Sequence, residues 1–242
     1  LIFLSRWHPA CKTQNTMIGY THFTDQRDVH CNLHPDAASP CVHILGAGGH
    51  AAVVVSTLFA KGASVAGVYD DDPALTGTEI LGVPVVGAIG DLPDDFRGPA
   101  AMGIGCNQTR AALVRRFPRC EWVTLVHPNA MVAPSAELGE GTVVFAGAIV
   151  QARASVGCHG ILNTGCSVDH DCAVGDFCHI APGARLAGCV TLGEGVFMGI
   201  GSSIIPSKTV GAWSTVGAGG VVVRNIPPGV TAVGVPARVI HR

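Results

Sequence analysis

Charge is scarce in this chain. Of 242 residues only 13% are Asp, Glu, Lys or Arg, and their balance is −2 at neutral pH. A chain with no positive excess has no electrostatic basis for binding nucleic acid or inserting at an anionic membrane. Aromatics are sparse too, at 5%, so large rings do not dominate the core. Long apolar runs are missing: Leu1 to Leu4 is too short for a signal peptide or a membrane span. The uncharged stretch from Cys41 to Ala60 carries glycines and histidines that suit a strand, a turn and a helix better than a spanning helix. Ten cysteines are present, but CxxC pairs are scarce, which favours a reduced, cytoplasmic protein over a disulfide or zinc scaffold.

What is abundant is glycine, 32 residues, together with one strict register. From Val132 to Val222 every sixth residue is Val, Leu, Ile or Met. Two positions before each there is usually a small residue, such as Ala130, Thr142, Ala148, Cys166, Cys172, Cys178, Ala184 or Ser214. A helix repeats near 3.6 residues and an ordinary half-buried strand at 2, so neither explains a period of six. Such a hexapeptide repeat is one short strand and one tight turn, with the branched residue pointing in and the small one letting the corner close. Three sextets make a triangular coil of about eighteen residues, and coils stack about 4.8 Å apart as neighbouring strands do. The expected architecture is a parallel β-helix of roughly five coils. Cys166, Cys172 and Cys178 occupy the small position and are expected to fill space as small apolar groups.

Ahead of the repeat, residues 42–45 read as a buried strand, Gly46-Ala47-Gly48-Gly49-His50 as a turn, and residues 51–61 as a helix closed by Gly62. A second strand, 64–69, ends in Asp70, Asp71 and Asp72. This is a βαβ unit. Glycines after the first strand let a ligand approach the backbone, and free N–H groups at a helix start suit a phosphate. Carboxylates at the end of the second strand sit where a nucleotide is read by hydrogen bonds. The glycine spacing is not the full GxGxxG, and a small α/β cap over the solenoid's open end is the plainer alternative. A third strand is expected over 100–106, a helix over 107–117, and over 122–126 a strand that delivers the chain to the first coil. The expected domains are residues 41–126, Rossmann-like and nucleotide-sugar-binding, and 127–242, the solenoid. Residues 1–40 hold His8, Cys11, His22, His30, Cys31 and His34 with no periodicity and no usual zinc spacing. They are expected to be an appended leader, disordered or non-native, before a natural start near Met17 or Cys41.

The ordered pieces Gly46 to His50, Tyr69 to Asp72, Gly103-Ile104-Gly105-Cys106-Asn107 with Arg110, Leu125 to Pro128, Ile161 to Thr164, Val168 to Cys172, Phe177 to Ile180 and Pro227 to Ala237 carry a resemblance. From Val42 to its end the chain resembles the hexapeptide-repeat sugar acyltransferases with an N-terminal nucleotide-sugar domain, a group that includes UDP-amino-sugar and GDP-perosamine N-acetyltransferases and sialic acid O-acetyltransferases. The resemblance implies a homotrimer of left-handed β-helices, acetyl-CoA as co-substrate in the groove between solenoids, and no metal. It also implies His170 as catalytic base beside Asp171, and substrate contacts from Gly46, Gly48, Gly49, His50, Asp70, Asp71, Asn107 and Asn163. His179, Gly188, Ile200 and Gly219 would meet acetyl-CoA, with Gly188 offering its N–H to the thioester carbonyl.

The residues are compatible with those roles. His170 lies two past the inward Val168, at a coil corner, and a neutral imidazole suits proton abstraction at neutral pH. Asp171 or Asp169 can fix its tautomer. His179 is nine residues on, half a coil, so the two imidazoles leave different corners and share a site only through packing or a neighbouring subunit. The leading expectation is acetyl transfer to the amine of a nucleotide-activated amino-sugar. The alternatives are O-acetylation of sialic acid or another sugar hydroxyl, a zinc trimer of the carbonic anhydrase kind using His159, His170 and His179, and a non-catalytic assembly subunit.

Overall fold

The computed structural model of the protein describes residues 41–240; the expected leader, 1–40, lies outside the described residues. The N-terminal part runs β1 (Val42–Leu45), α1 (Gly49–Ala60), β2 (Val65–Tyr69), β3 (Glu79–Ile80), β4 (Val83–Gly87), β5 (Pro99–Met102), α2 (Asn107–Arg116) and β6 (Glu121–Trp122). These strands form one sheet in the order β3-β4-β2-β1-β5-β6. All neighbours are parallel except the β3–β4 hairpin. The order reverses at β1, so a crevice opens beyond the carboxyl ends of β1 and β5, where doubly wound sheets hold their ligands.

Several features differ from the sequence expectation. Strand β4 was not foreseen, although Val83 and Val85 are buried and Val86 faces out with the period of two a strand requires. Strand β5 stops at Met102 instead of running to Cys106, because Gly103 and Gly46 meet backbone to backbone. A Cβ on Gly103 would lie 2.7 Å from the Gly46 carbonyl oxygen.

The expected single strand over 122–126 is divided. Its start belongs to β6, while Leu125–Val126 pairs in parallel with Val143–Val144 and is already the first rung of the solenoid. From there residues eighteen apart pair on each face, Ile149 with Ser167 and Ser155 with Ala173, for example. The three sheets hold eight, six and five strands and make a left-handed parallel β-helix. The sixth-residue aliphatics fill it: Val150, Val168, Val210, Val216 and Val222 are fully buried. Cys166, Cys172 and Cys178 are buried among them. The Cys172 and Cys178 thiols reach the carbonyls of Ala187 and Gly193 at 3.2 and 3.1 Å, as the Thr142 hydroxyl reaches that of Gly157 at 2.7 Å. The small position therefore also satisfies corner carbonyls of the following coil.

A second register lies three residues before each aliphatic. From Gly141 to Gly219 every sixth residue has φ between +55° and +70°. This left-handed conformation turns the chain at each corner, and glycine adopts it without steric cost. The three corners differ in what occupies it. One is all glycine: Gly147, Gly165, Gly183, Gly201 and Gly219. The second carries Arg153, Asp171, Cys189 and Ser207, and the third Gly141, His159, Phe177, Gly195 and Trp213. The N-terminal sheet docks beside the third. Val54, Val55 and Leu58 of α1 share a core with Leu125, Val143, Phe145 and Ile161 on the outside of the solenoid.

Candidate active site

The crevice at the end of β1 is built from the glycine turn. Gly46 has φ +104° and donates to the Tyr69 carbonyl at 2.7 Å, and its missing side chain leaves room for Ile104. Gly48 and Gly49 face open space, with nothing within 4 Å of where a Cβ would stand. Gly48 caps α1 without a side-chain bond, and the first turn of the helix carries no acid. The free N–H groups and the positive end of the helix dipole are thus exposed at the crevice. Asp70 closes one side: its Oδ2 accepts from Ala47 N–H at 2.6 Å and its Oδ1 from Asp72 N–H at 2.9 Å. Asp71 accepts from Gly90 N–H at 3.2 Å through Oδ1. The acidic end of β2 and the glycine turn are therefore one hydrogen-bonded unit.

Behind the turn, polar side chains lock the sheet to the solenoid. Arg110 is 1% exposed. Its guanidinium donates to the carbonyls of Gly105 at 2.9 Å, Phe177 at 2.8 Å and His159 at 3.2 Å, and more weakly to Ile104 and Cys178. Burial lowers its pKa to about 10. Asn107 Nδ2 donates to Gly195 O at 2.9 Å, and Asn107 Oδ1 is buried without a partner among the described residues. His159 is stacked on Phe177 and meets Trp122 edge-on. Burial, aided by Arg110, lowers its pKa to about 4, so it packs as a neutral ring.

His179 lies at the same junction. Its Nδ1–H donates to the Gly105 carbonyl at 3.2 Å, which leaves Nε2 to accept from Asn163 Nδ2 at 3.1 Å. Burial first, then the Arg110 charge, lowers its pKa to about 4. His50, at the start of α1, stands 6.1 Å from it, ring to ring, and is lowered to about 4 by burial, His179 and Arg110 in that order. Its Nε2 has no partner among the described residues. Gly105, Asn163, His179 and His50 thus form a neutral polar cluster running towards the glycine turn.

His170 stands apart, on the corner that carries Asp171. Its side chain is 53% exposed. Its Nδ1 lies 2.7 Å from Asp171 Oδ2, which fixes the tautomer with the proton on Nδ1 and leaves Nε2 as acceptor. Asp169, the other candidate, instead accepts the backbone N–H of His170 at 2.7 Å. The ring lies over Gly188, where a Cβ would be 2.5 Å from Cε1 and Nε2. Arg153, one coil earlier, holds Asp171 with two bonds of 2.6 and 2.8 Å. These bonds, ahead of the one to His170, push the Asp171 carboxyl well below the usual carboxylate range.

One chain therefore brings the expected residues into four groups. Gly46, Gly48, Gly49, His50, Asp70 and Asp71 surround the turn. Asn107, Asn163 and His179 line the junction behind it. His170, Asp171 and Gly188 share a separate corner. Ile200 and Gly219 belong to the all-glycine corner, stacked one coil apart through a 2.8 Å bond from Gly219 N–H to Ile200 O. Arg153 was not anticipated, nor was the docking role of Arg110. Of the three histidines of the zinc alternative, His159 and His179 are buried in different hydrogen-bonding and stacking settings. The single three-residue group of possible ligands among the described residues is His170, Asp171 and Cys189, and there the Arg153 guanidinium already holds both carboxylate oxygens. A groove of about 320 Å³ between α2 and the C-terminal strands is lined by Gln108, Trp213, Thr231 and Ile240, and none of the expected site residues lines it.

A hexapeptide solenoid carrying a small doubly wound sheet places the chain with the acyltransferase class of β-helix proteins, as the following similarities show. Residues 41–117 match the model of the PglD N-terminal domain. A perosamine N-acetyltransferase from Caulobacter crescentus, solved as a histidine-to-asparagine variant in complex with CoA and GDP-perosamine, is 43% identical. The match covers 84% of this chain and 97% of that one, with a TM-score of 0.79. The acetyltransferase domain of PglB from Neisseria gonorrhoeae FA1090 is 35% identical over 84% of this chain and all of that one, with a TM-score of 0.77. Among curated relatives, the galactoside O-acetyltransferase of Escherichia coli (strain K12) is 46% identical over 52 residues. Matches to curated relatives of that kind span between 10% and 31% of the relatives' own lengths. The chain belongs to the hexapeptide-repeat sugar acetyltransferases.

Proposed function

We propose that this protein transfers the acetyl group of acetyl-CoA to the amine of a nucleotide-activated amino-sugar, with His170 as general base. The observation that carries the reading is the His170 corner: an open imidazole, tied through Nδ1 to Asp171 at 2.7 Å, with Nε2 free. The acceptor amine attacks the thioester carbonyl carbon, Nε2 takes the proton that the nitrogen loses, and that proton passes to the departing CoA sulfur. Asp171 keeps the ring in the tautomer that makes Nε2 basic and stabilises the imidazolium formed in passing. A bare amine needs little activation, so the base acts chiefly on the proton that must leave as the C–N bond forms.

The nucleotide lies on the glycine turn, its phosphates facing the N–H groups at the start of α1 and its nucleoside near Asp70 and Asp71. His50 and Asn163 extend from that end toward the sugar. The similarity to an enzyme solved with CoA and GDP-perosamine supports both ligand classes. The active unit is a homotrimer. His170 and Gly188 lie on one corner of a chain and Ile200 and Gly219 on another, so three-fold packing brings these two corners together from adjacent copies and encloses acetyl-CoA between them. Ile200 is 58% exposed, as a residue awaiting a neighbour would be.

Release of CoA thiol, screened over UDP-, GDP-, dTDP- and CMP-linked amino-sugars with mass analysis of the product, tests the reading. N-acetylation of one of them is the expected result. Turnover only on free sialic acid or another hydroxyl would replace it with O-acetylation. Light scattering should give a trimer, and a monodisperse monomer at micromolar concentration would remove the interfacial site.

A further inference from the structure

Arg153 and Asp171 occupy the same corner one coil apart, both in left-handed conformation, with φ of 60° and 58°. The corner ladder aligns them: Asp171 N–H donates to Ala152 O at 3.2 Å, and Arg153 N–H donates to Ser135 Oγ at 3.2 Å. The guanidinium fork then meets the carboxylate squarely, Nε to Oδ1 at 2.6 Å and Nη2 to Oδ2 at 2.8 Å. Oδ2 also receives His170 Nδ1. One carboxylate is therefore shared between a permanent cation and the imidazole.

Taking His170 as the base, as proposed above, we infer that Arg153 is a positioning residue that sets both the orientation of the imidazole and its readiness to accept a proton. A bidentate fork fixes the plane of the carboxylate, which a single bond cannot do, and the carboxylate in turn fixes the ring. The charge acts separately. A carboxylate beside an imidazole favours the protonated ring, which cannot act as base, and a cation on the far side of that carboxylate offsets the effect. The groups around the ring are Asp171, Arg153 behind it, Cys189 on the following coil, Asp169 at the backbone N–H and Gly188 under the ring. In that set Arg153 alone is cationic. Its side chain is 66% exposed, so replacing it leaves no buried gap.

The test compares Arg153→Gln and Arg153→Lys with the parent, following kcat/KM against pH and the titration of the His170 ring by NMR of histidine-labelled protein. In Arg153→Gln, kcat should fall roughly ten-fold as the ring loses its fixed orientation. The acid limb and the His170 resonance should move together to higher pH, because a cation has been removed from behind the carboxylate. Arg153→Lys keeps the charge without the fork, so its limb should stay near the parent's while kcat recovers only in part. Parental kcat and pH profile in Arg153→Gln, with the His170 resonance also unmoved, would overturn the inference. So would a lower kcat with limb and resonance unmoved, since that is the mark of a merely structural role. A resonance that moves while kcat and its pH profile do not would uphold the electrostatic coupling and refute His170 as the base instead.

Discussion

Substituting Gly188 by alanine separates the site from the scaffold. The His170 ring covers Gly188, and an alanine Cβ there would lie 2.5 Å from both Cε1 and Nε2. Ordinary carbon contacts are about 3.5 to 4.0 Å, so the imidazole must retreat by about 1 Å. It can do so, because it is the half-exposed end of a surface side chain. Gly188 itself is outside the left-handed set, so the backbone accepts alanine. The displaced ring loses its 2.7 Å bond to Asp171 or its aim at the acceptor, and a misplacement of this size costs on the order of 10²-fold in rate. Gly188→Ala should therefore lower kcat by about that factor in the CoA-thiol assay while the thermal midpoint stays within about 2 °C of the parent. Parental kcat with a raised KM for acetyl-CoA alone would refute the steric argument and leave Gly188 as a binding contact only. A large fall in thermal midpoint would refute it differently, by showing that the corner cannot relax.

Asp71→Ala should raise KM for the sugar nucleotide with little change in KM for acetyl-CoA. Asp70→Ala should do so more strongly, because Asp70 also holds Ala47 of the glycine turn; equal loss for both substrates would point to misfolding. Arg110→Met removes the donor that serves the carbonyls of Gly105, His159 and Phe177, and should cost roughly 3 to 5 kcal/mol in denaturant unfolding. A change below about 1 kcal/mol would show that water replaces the guanidinium. Stability should also fall in acid. His50, His159 and His179 have folded pKa values of about 4 against an ordinary 6.5, so the unfolded chain binds more protons between these values. Their stabilising effect is complete above pH about 6.5 and is lost as pH falls toward 4, at up to about 1.4 kcal/mol per pH unit for each ring. Denaturant melts that are flat from pH 7 to 5 would contradict the burial of these neutral rings.

The solenoid was legible because its register never slips: the inward aliphatic recurs every sixth residue, and the position two before it is usually small. The glycine turn and the acidic end of β2 were legible because they follow one another along the chain. β4 escaped notice because its two inward valines flank Pro84, which weakens a strand pattern only five residues long. The partners of His170 divide in the same way. Asp171 is its sequence neighbour, whereas Arg153, which holds Asp171, is eighteen residues from Asp171 and close only through the coil. Counting back one coil from Asp171 would have found it. Arg110 was visible in a motif with Asn107, but its acceptors at His159 and Phe177 lie 49 and 67 residues on and obey no local rule. The burial of His179 follows from the same docking of sheet on solenoid, which neither half encodes alone.

The most direct test is kcat for His170→Ala against the parent, with the acceptor that the thiol-release screen identifies and acetyl-CoA at saturation. Loss of a proton-accepting imidazole should lower kcat by roughly 10² to 10⁴. The thermal midpoint should stay close to the parent's, because the side chain leaves a corner and fills no core. A variant that keeps more than about a third of the parental kcat, far above the loss expected for a general base, would mean that holding the neutral amine near the thioester suffices, and that His170 is not the base.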